Sequence, residues 1–173
     1  MTLTHFAIIA VCAYLLGSLS FAIIVSKLTL GKDIRNYGSG NAGLTNAYRT
    51  MGAKKTLLVL LGDIAKGAAA VSIGMVLAGP VGKLTAGIFV ILGHMFPLYF
   101  GFKGGKGVLV GAVMLAFFDW RVFGIAFLLF VLAVALTKWI SLGSILGAIS
   151  FPITTWVFYR DPVLTAMALG MAA

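Results

Sequence analysis

The sequence predicts an all-α protein that crosses a membrane about seven times. Three observations predict it. Apolar residues fill 61% of the 173 positions and charged residues only 10%, against roughly 25% charged in soluble domains. Mean hydropathy is +1.11. Apolar runs of about 20 residues, enough to cross about 30 Å of hydrocarbon, recur between short polar segments. A chain this small has too little interior to hide that much apolar surface from water.

The first run covers residues 5–30. No Lys or Arg precedes Lys27, so the basic start of a signal peptide is missing and the run is expected to stay as a helix. Cys12 stands alone in "IAVCAY", a poor lipoprotein site because Val precedes it, and a single cysteine supports neither a disulfide nor a thiolate metal site. A polar loop over 31–55 follows. The second span is predicted at 56–78, a turn at "GPVGK", and the third span at 84–100. After the loop 101–107 comes a short fourth span, 108–118, expected to tilt, enter halfway or thin the bilayer. "DWR" closes it. The fifth span is predicted at 122–137, a third loop, "KWISLGS", at 138–144, and the sixth span at 145–158. A seventh run starts at Val163 and holds 11 residues, where spanning takes about 17, so it is expected to be cut off by the chain end. No soluble domain or repeat is evident, and residues 1–173 read as a single integral membrane domain.

The net charge of +9 is spread singly and in small groups between apolar runs. That suits loops facing anionic lipid or an anionic substrate rather than nucleic acid. With the N-terminus outside, the inner loops hold Lys32, Arg35, Arg49, Lys54, Lys55, Lys103, Lys106 and Lys138, and the outer loops only Lys83, Arg121 and Arg160. Eight against three selects this orientation. It places the loops near residues 40, 104 and 141 together on the cytoplasmic face. Trp120, Trp139, Trp156 and Tyr159 fall near predicted span ends, where amphipathic rings settle. The glycines and alanines along the spans fit close helix packing.

The stretch "NYGSGNAGLTNAYRTMG", residues 36–52, offers Ser39, Asn41, Thr45 and Asn46 as hydrogen-bonding groups. Gly38, Gly40 and Gly43 let backbone approach a ligand closely, and the Arg49 fork matches phosphate oxygens. An ordinary polar loop with turn glycines has the same composition. "FKGGKG" sets Lys103 and Lys106 about a glycine pair that can form an anion nest. It is no Walker A loop, because Gly107 follows the lysine where Ser or Thr is needed; a flexible basic loop is the plain alternative. His94 is predicted inside the third span, about two turns before that loop, where a polar side chain is costly. Asp63 and Lys66, three apart, share a helix face and read first as an internal ion pair. Ser141 and Ser144 read as caps of the sixth span or as groups reaching the site. His and carboxylate residues are too few and scattered to propose a metal site.

Taken together and in order, "DIRNYGSGNAGLTNAYRTMG", "GHMFPLYFGFKGGKG" and "SLGS" resemble the bacterial acyl-phosphate:glycerol-3-phosphate acyltransferases. The resemblance extends to "GSLSFAIIVSK" and "GDIAKG" and covers nearly the whole chain. It implies an enzyme of the bacterial inner membrane that moves a fatty acyl chain from acyl phosphate to the 1-hydroxyl of glycerol 3-phosphate. The products are lysophosphatidic acid and phosphate, and the reaction begins phospholipid synthesis. It further implies functional roles for Ser39 and Arg49, and a phosphate loop at Gly104, Gly105, Lys106 and Gly107. Two features depart from the family pattern. Leu44 replaces the usual Ala, setting a bulkier side chain beside the expected site. The family's third motif, with a His, an Asn and a Glu, is expected to lie beyond Ala173, leaving the site incomplete in this stretch.

The expected chemistry follows from the substrates. Acyl phosphate has a good leaving group, so positioning and charge stabilisation can carry direct attack by the glycerol hydroxyl. Lys106 and the 104–107 amides are expected to hold acyl phosphate, while Arg49, Ser39 and Asn46 orient glycerol 3-phosphate. Asn41, Lys103, His94 and Ser144 complete the expected binding groups. With His94 inside a span, no loop offers an evident base, and the departing phosphate takes the proton. A Ser39 acyl-enzyme is the rival mechanism, and a small permease for a phosphorylated solute the rival function. No cofactor is expected, and the protein is expected to act as a monomer.

Overall fold

A computed structural model of the chain describes residues 1–172. Its helices are α1 (Leu3–Gly17), α2 (Phe21–Leu30), α3 (Leu44–Met95), α4 (Val108–Phe118), α5 (Trp120–Thr137), α6 (Ile140–Tyr159) and α7 (Pro162–Ala172). Single 3-10 turns lie at Ile34–Asn36 and Leu98–Phe100. Among the described residues, four stretches are long and apolar enough to cross a membrane: Leu3–Leu30, Leu44–Phe100, Trp120–Thr137 and Ile140–Tyr159. α4 and α7 are apolar but shorter.

The expected first span is broken in two. The Ser18 hydroxyl donates back to the Tyr14 carbonyl at 2.8 Å and accepts from the Leu98 amide at 3.2 Å. Such back-bonding competes with the helix. Ser20 then opens α2 from extended backbone. The break leaves the Gly17 and Leu19 carbonyls in need of donors that the helix itself no longer supplies.

α3 is three helical pieces in succession, because Gly52 (φ 75), Ala78 and Gly79 (φ 59) are non-helical. The turn predicted at "GPVGK" falls at residues 78–79, and Pro80 begins the next piece, where its fixed φ and missing N–H are tolerated. The pieces before and after this turn pass with backbones touching. A Cβ on Gly74 would strike the Gly82 carbonyl, and a Cβ on Gly82 would strike that of Gly74.

Two expected loops are shorter than the sequence suggested. Helix resumes at Leu44, so Thr45, Asn46 and Arg49 ride on the first piece of α3. The reason is amphipathic spacing: Leu44, Ala47 and Met51 face an apolar cluster containing Ala22, Ile23, Val25, Ile34 and Val59. Leu44 thus spends its extra bulk in the core. The loop expected over 138–144 shrinks to Lys138 and Trp139, since α5 closes with the Lys138 amide on the Val134 carbonyl and α6 starts at Ile140. Ser144 is inside α6, its hydroxyl bonded to the Ile140 carbonyl at 2.9 Å, and it does not cap the helix.

The chain packs as two compact units, residues 1–113 and residues from 114 onward. In the first, Ile9 and Ala13 of α1 meet Ala70, Ala86 and Val90 of α3 and Val110 of α4. In the second, α6 packs against α5 and α7. Asp119 accepts a fork from Arg121 and a hydroxyl from Tyr159 at 2.7 Å, which ties the start of α5 to the end of α6. The polar groups with chemistry to offer gather in the first unit.

Candidate functional site

The loop after α2 is organised by one side chain. Asn46, only 1% exposed, donates from Nδ2 to the carbonyls of Ile34 (3.3 Å), Tyr37 (3.0 Å) and Asn41 (3.0 Å). Its Oδ1 accepts from the Ser39 amide at 2.9 Å. The amide group is therefore engaged with residues 34–41 and positions them. Gly38, at φ 59, has no room for a Cβ because Asn46 Oδ1 occupies the place.

Arg35 fastens this loop to the one after α3. Its Nη1 donates to the carbonyls of Phe100 (2.6 Å) and Lys103 (3.1 Å), while Nε and Nη2 grip both carboxylate oxygens of Asp33. The hydrogen bonds from Arg35 hold the Asp33 carboxyl down to about 2, so both charges persist throughout the neutral range. A cleft of about 540 Å³ opens here, lined by Asp33, Arg35, Asn36, Gly40, Phe100 and Lys103 among others. Arg35→Ala is expected to raise amide exchange over residues 98–104 about tenfold or more, since hydrogen bonds to charged groups are each worth about 1.5–3 kcal/mol. Hydrogen–deuterium exchange read by mass spectrometry checks this.

The glycine loop folds directly onto the end of α3. The Gly104 amide donates to the Met95 carbonyl at 3.0 Å, and the Gly105 amide to the His94 carbonyl at 3.1 Å. These two N–H groups, expected to hold phosphate, are already committed. Among the described residues no hydrogen-bond acceptor is paired with the amides of Lys106 and Gly107. Gly105 is needed for close approach: its Cβ would run into His94 Nε2 and the Ala42 carbonyl. The two loops thus meet at residues 42 and 105.

His94 is not two turns short of the loop, as the sequence suggested. α3 ends at Met95 and the chain leaves through Pro97, so His94 sits in the last turn, roofed by Gly105. Beneath it lies a buried cluster. Lys66 Nζ is 2.8 Å from Asp63 Oδ1, 3.0 Å from His94 Nδ1, 2.8 Å from the Leu19 carbonyl and 3.2 Å from that of Gly17. The ammonium supplies the donors missing at the α1–α2 break. The internal ion pair predicted at Asp63 and Lys66 is present, with side chains 2% and 1% exposed.

Ser39, Arg49, Lys103 and Lys106 are exposed, and Asn41 is half-buried. Among the described residues their side chains take part in no hydrogen bond or ion pair, which leaves three cations and two polar groups on this surface available to a ligand. Ser144 belongs to the second unit. Sequence reasoning passed over Arg35 and Asp33. The carbonyls that Arg35 reaches lie 65 and 68 residues away in sequence, and only the pairing of an acid and a base two apart hinted at a local fork.

The glycerol-3-phosphate acyltransferase family model matches residues 7–173. The chain belongs to the glycerol-3-phosphate acyltransferase family. Glycerol-3-phosphate acyltransferase 2 of Bacillus anthracis is 40% identical over 159 residues, which is 92% of this chain and 83% of that one. The glycerol-3-phosphate acyltransferase of Thermoanaerobacter sp. strain X514 is 41% identical over 167 residues, covering 95% and 83%. The crystal structure of PlsY (YgiH), an integral membrane glycerol 3-phosphate acyltransferase, in its glycerol 3-phosphate form aligns with a TM-score of 0.88 and 34% identity, over 96% of this chain and 84% of that one. Its lysophosphatidic acid form aligns with a TM-score of 0.85 and 31% identity, over the same shares. The family is one of membrane acyltransferases, and the all-helical fold here is that of an integral membrane member.

Proposed function

We propose that this acyltransferase moves a fatty acyl group from acyl phosphate to the 1-hydroxyl of sn-glycerol 3-phosphate, releasing lysophosphatidic acid and inorganic phosphate. The observation that carries this reading is the polar surface of the first unit. Lys103 and Lys106 stand there uncommitted on the loop that Arg35 staples to the one after α2, and Arg49 stands uncommitted on the first helical piece of α3. Both substrates carry phosphate, and the surface offers cations for both. Lys106, with the amides of Lys106 and Gly107, holds the acyl phosphate. Arg49, Ser39 and Asn41 orient glycerol 3-phosphate, while Asn46 acts on it only through the loop it organises.

The glycerol hydroxyl attacks the acyl carbon directly. The C–O bond to phosphate breaks as the new ester forms, and the leaving phosphate takes the proton. Charge stabilisation by fixed donors supplies most of the acceleration. The chain acts as one acyltransferase domain in the bacterial inner membrane, as a monomer, with its N-terminus outside and this polar surface on the cytoplasmic side. The excess of Lys and Arg in the loops near residues 32–55 and 103–106 supports that orientation. Family membership and polar groups gathered in loops speak for an enzyme over a permease, whose site belongs near the midplane.

Phosphate release from palmitoyl phosphate by the purified protein at its natural length, in detergent or lipid mesophase, tests the reading. Release must depend on glycerol 3-phosphate. Lys106→Ala and Arg49→Ala are each expected to cut turnover by about 10²–10³, as for loss of a donor to transition-state charge. Near-normal turnover in either would remove that residue from the site. Acylated protein trapped by rapid quenching would replace direct attack with a Ser39 acyl-enzyme.

A further inference from the structure

We propose that Asp63, Lys66 and His94 form a buried relay that holds the imidazole with its Nε2–H directed at a phosphoryl oxygen carried by the 104–107 loop. The inference rests on the reading that this loop carries a substrate phosphate. His94 is the ligand-facing member; Lys66 and Asp63 are positioning residues.

Counting donors fixes the tautomer. An ammonium has three N–H groups and no acceptor. Lys66 directs hydrogen bonds at three acceptors: the Gly17 carbonyl, the Leu19 carbonyl and His94 Nδ1. Asp63 Oδ1 stands 2.8 Å from Nζ and competes for the same N–H groups, but an ammonium has no lone pair to offer whichever acceptors it serves. Nδ1 is then the acceptor, and the proton of the neutral ring lies on Nε2. A ring held this way is a donor at Nε2 and cannot serve there as a base. That agrees with a leaving phosphate that takes its own proton.

The remaining observation is where Nε2 looks. His94 is only 4% exposed, and among the described residues Nε2 has no hydrogen-bond partner. It abuts Gly105, at the place a Cβ would fill, beside the Ala42 carbonyl. The next two amides, of Lys106 and Gly107, are the unpaired ones. An oxygen seated on those amides lies beside a fixed imidazole N–H, a third donor with no net charge and little freedom to lose. The burial of a Lys, an Asp and a His in one apolar unit is costly, and orientation of this donor is the return.

The test uses histidine labelled with ¹⁵N in His5→Gln protein, where His94 is the one histidine left among residues 1–173 and its signals are identified by their loss in His94→Gln. The expected spectrum shows one tautomer, protonated on Nε2. Inorganic phosphate is expected to shift Nε2 and the 106 and 107 amides along one saturation curve. Lys66→Met is expected to release the tautomer preference. A proton on Nδ1 overturns the relay. Amides that move while Nε2 stays still overturn the relay and spare the phosphate reading. If neither moves with phosphate or glycerol 3-phosphate, both fall. Two further variants avoid dependence on the buried lysine. His94→Gln, whose amide N–H reaches the Nε2 position, is expected to stay within about tenfold of normal kcat, whereas His94→Asn, reaching only the Nδ1 position, loses about 10²–10³. Equal losses in the two would also overturn the proposal.

Discussion

Lys66→Met is expected to cost about 3–5 kcal/mol of stability, the penalty for leaving one partner of a buried ion pair alone. The substitution keeps the unbranched apolar stem of the side chain and removes only the ammonium, so most of the loss is electrostatic. It strands the Asp63 carboxylate, 2% exposed, and removes the donors from the Gly17 and Leu19 carbonyls at the α1–α2 break. The double variant Asp63→Leu, Lys66→Met separates these contributions. It removes the stranded charge and is expected to recover part of the loss. The two carbonyls stay unsatisfied, at about 1–3 kcal/mol for each buried group without a partner. Reversible unfolding in mixed detergent measures both variants. Full recovery in the double variant would mean that the helix break does not depend on the ammonium.

Asn46→Asp is expected to disorganise the 34–41 loop while leaving the helices intact. The change is nearly isosteric, but it replaces an NH₂ that donates to three carbonyls with an oxygen that repels them. Amide exchange over residues 34–41 should rise by about 10- to 100-fold, matching the loss of one or two net hydrogen bonds of about 1–1.5 kcal/mol each. Glycerol 3-phosphate-dependent phosphate release should fall by about 100-fold, because misplacing substrate-orienting groups by an ångström costs on that order. Asn46→Asp with normal turnover would show that the loop needs no organising centre for catalysis.

Membrane character and the polar loops were legible in the sequence because hydropathy and loop chemistry are local properties. The helix breaks were only half legible. Gly79 and Pro80 announce a turn by their own backbone preferences. The break at residues 18–20 is completed by Lys66, more than 45 residues away, which no window along α1 contains. Asn46 read as a ligand group since an Asn in a glycine-rich loop has the right chemistry for one. Only its burial shows that its amide belongs to its own loop. Ser144 misled in the opposite way: "SLGS" reads as a loop, yet it continues a helix whose first turn needs no side-chain cap. His94 lies within the apolar stretch 44–100 as expected, but its closeness to the glycine loop was missed, because Met95, Phe96 and Leu98 prolong the apolar run past the helix end and the fold-back of Gly104 and Gly105 onto that end is a tertiary event. Leu44 likewise gained its explanation from the packing it joins.

The Lys66 cluster also sets an order of assembly. Its members come from residues 17–19, 63–66 and 94, so the ammonium finds Asp63 and two carbonyls once α1 and the first long piece of α3 are in the bilayer, and gains His94 only with the next piece. A nascent chain that has delivered only α1 holds two bare carbonyls at membrane depth, and one that has delivered residue 66 holds a charge there worth about 2.5–3.5 kcal/mol against insertion. The apolar length around each must carry it through that interval. The carbonyls and the charge satisfy each other when residue 66 docks beside the α1–α2 break, and His94 then adds the last acceptor, over which the glycine loop closes. A chain stalled before residue 94 thus has its ammonium paired with Asp63 and the helix break, and lacks the imidazole that the glycine loop closes over.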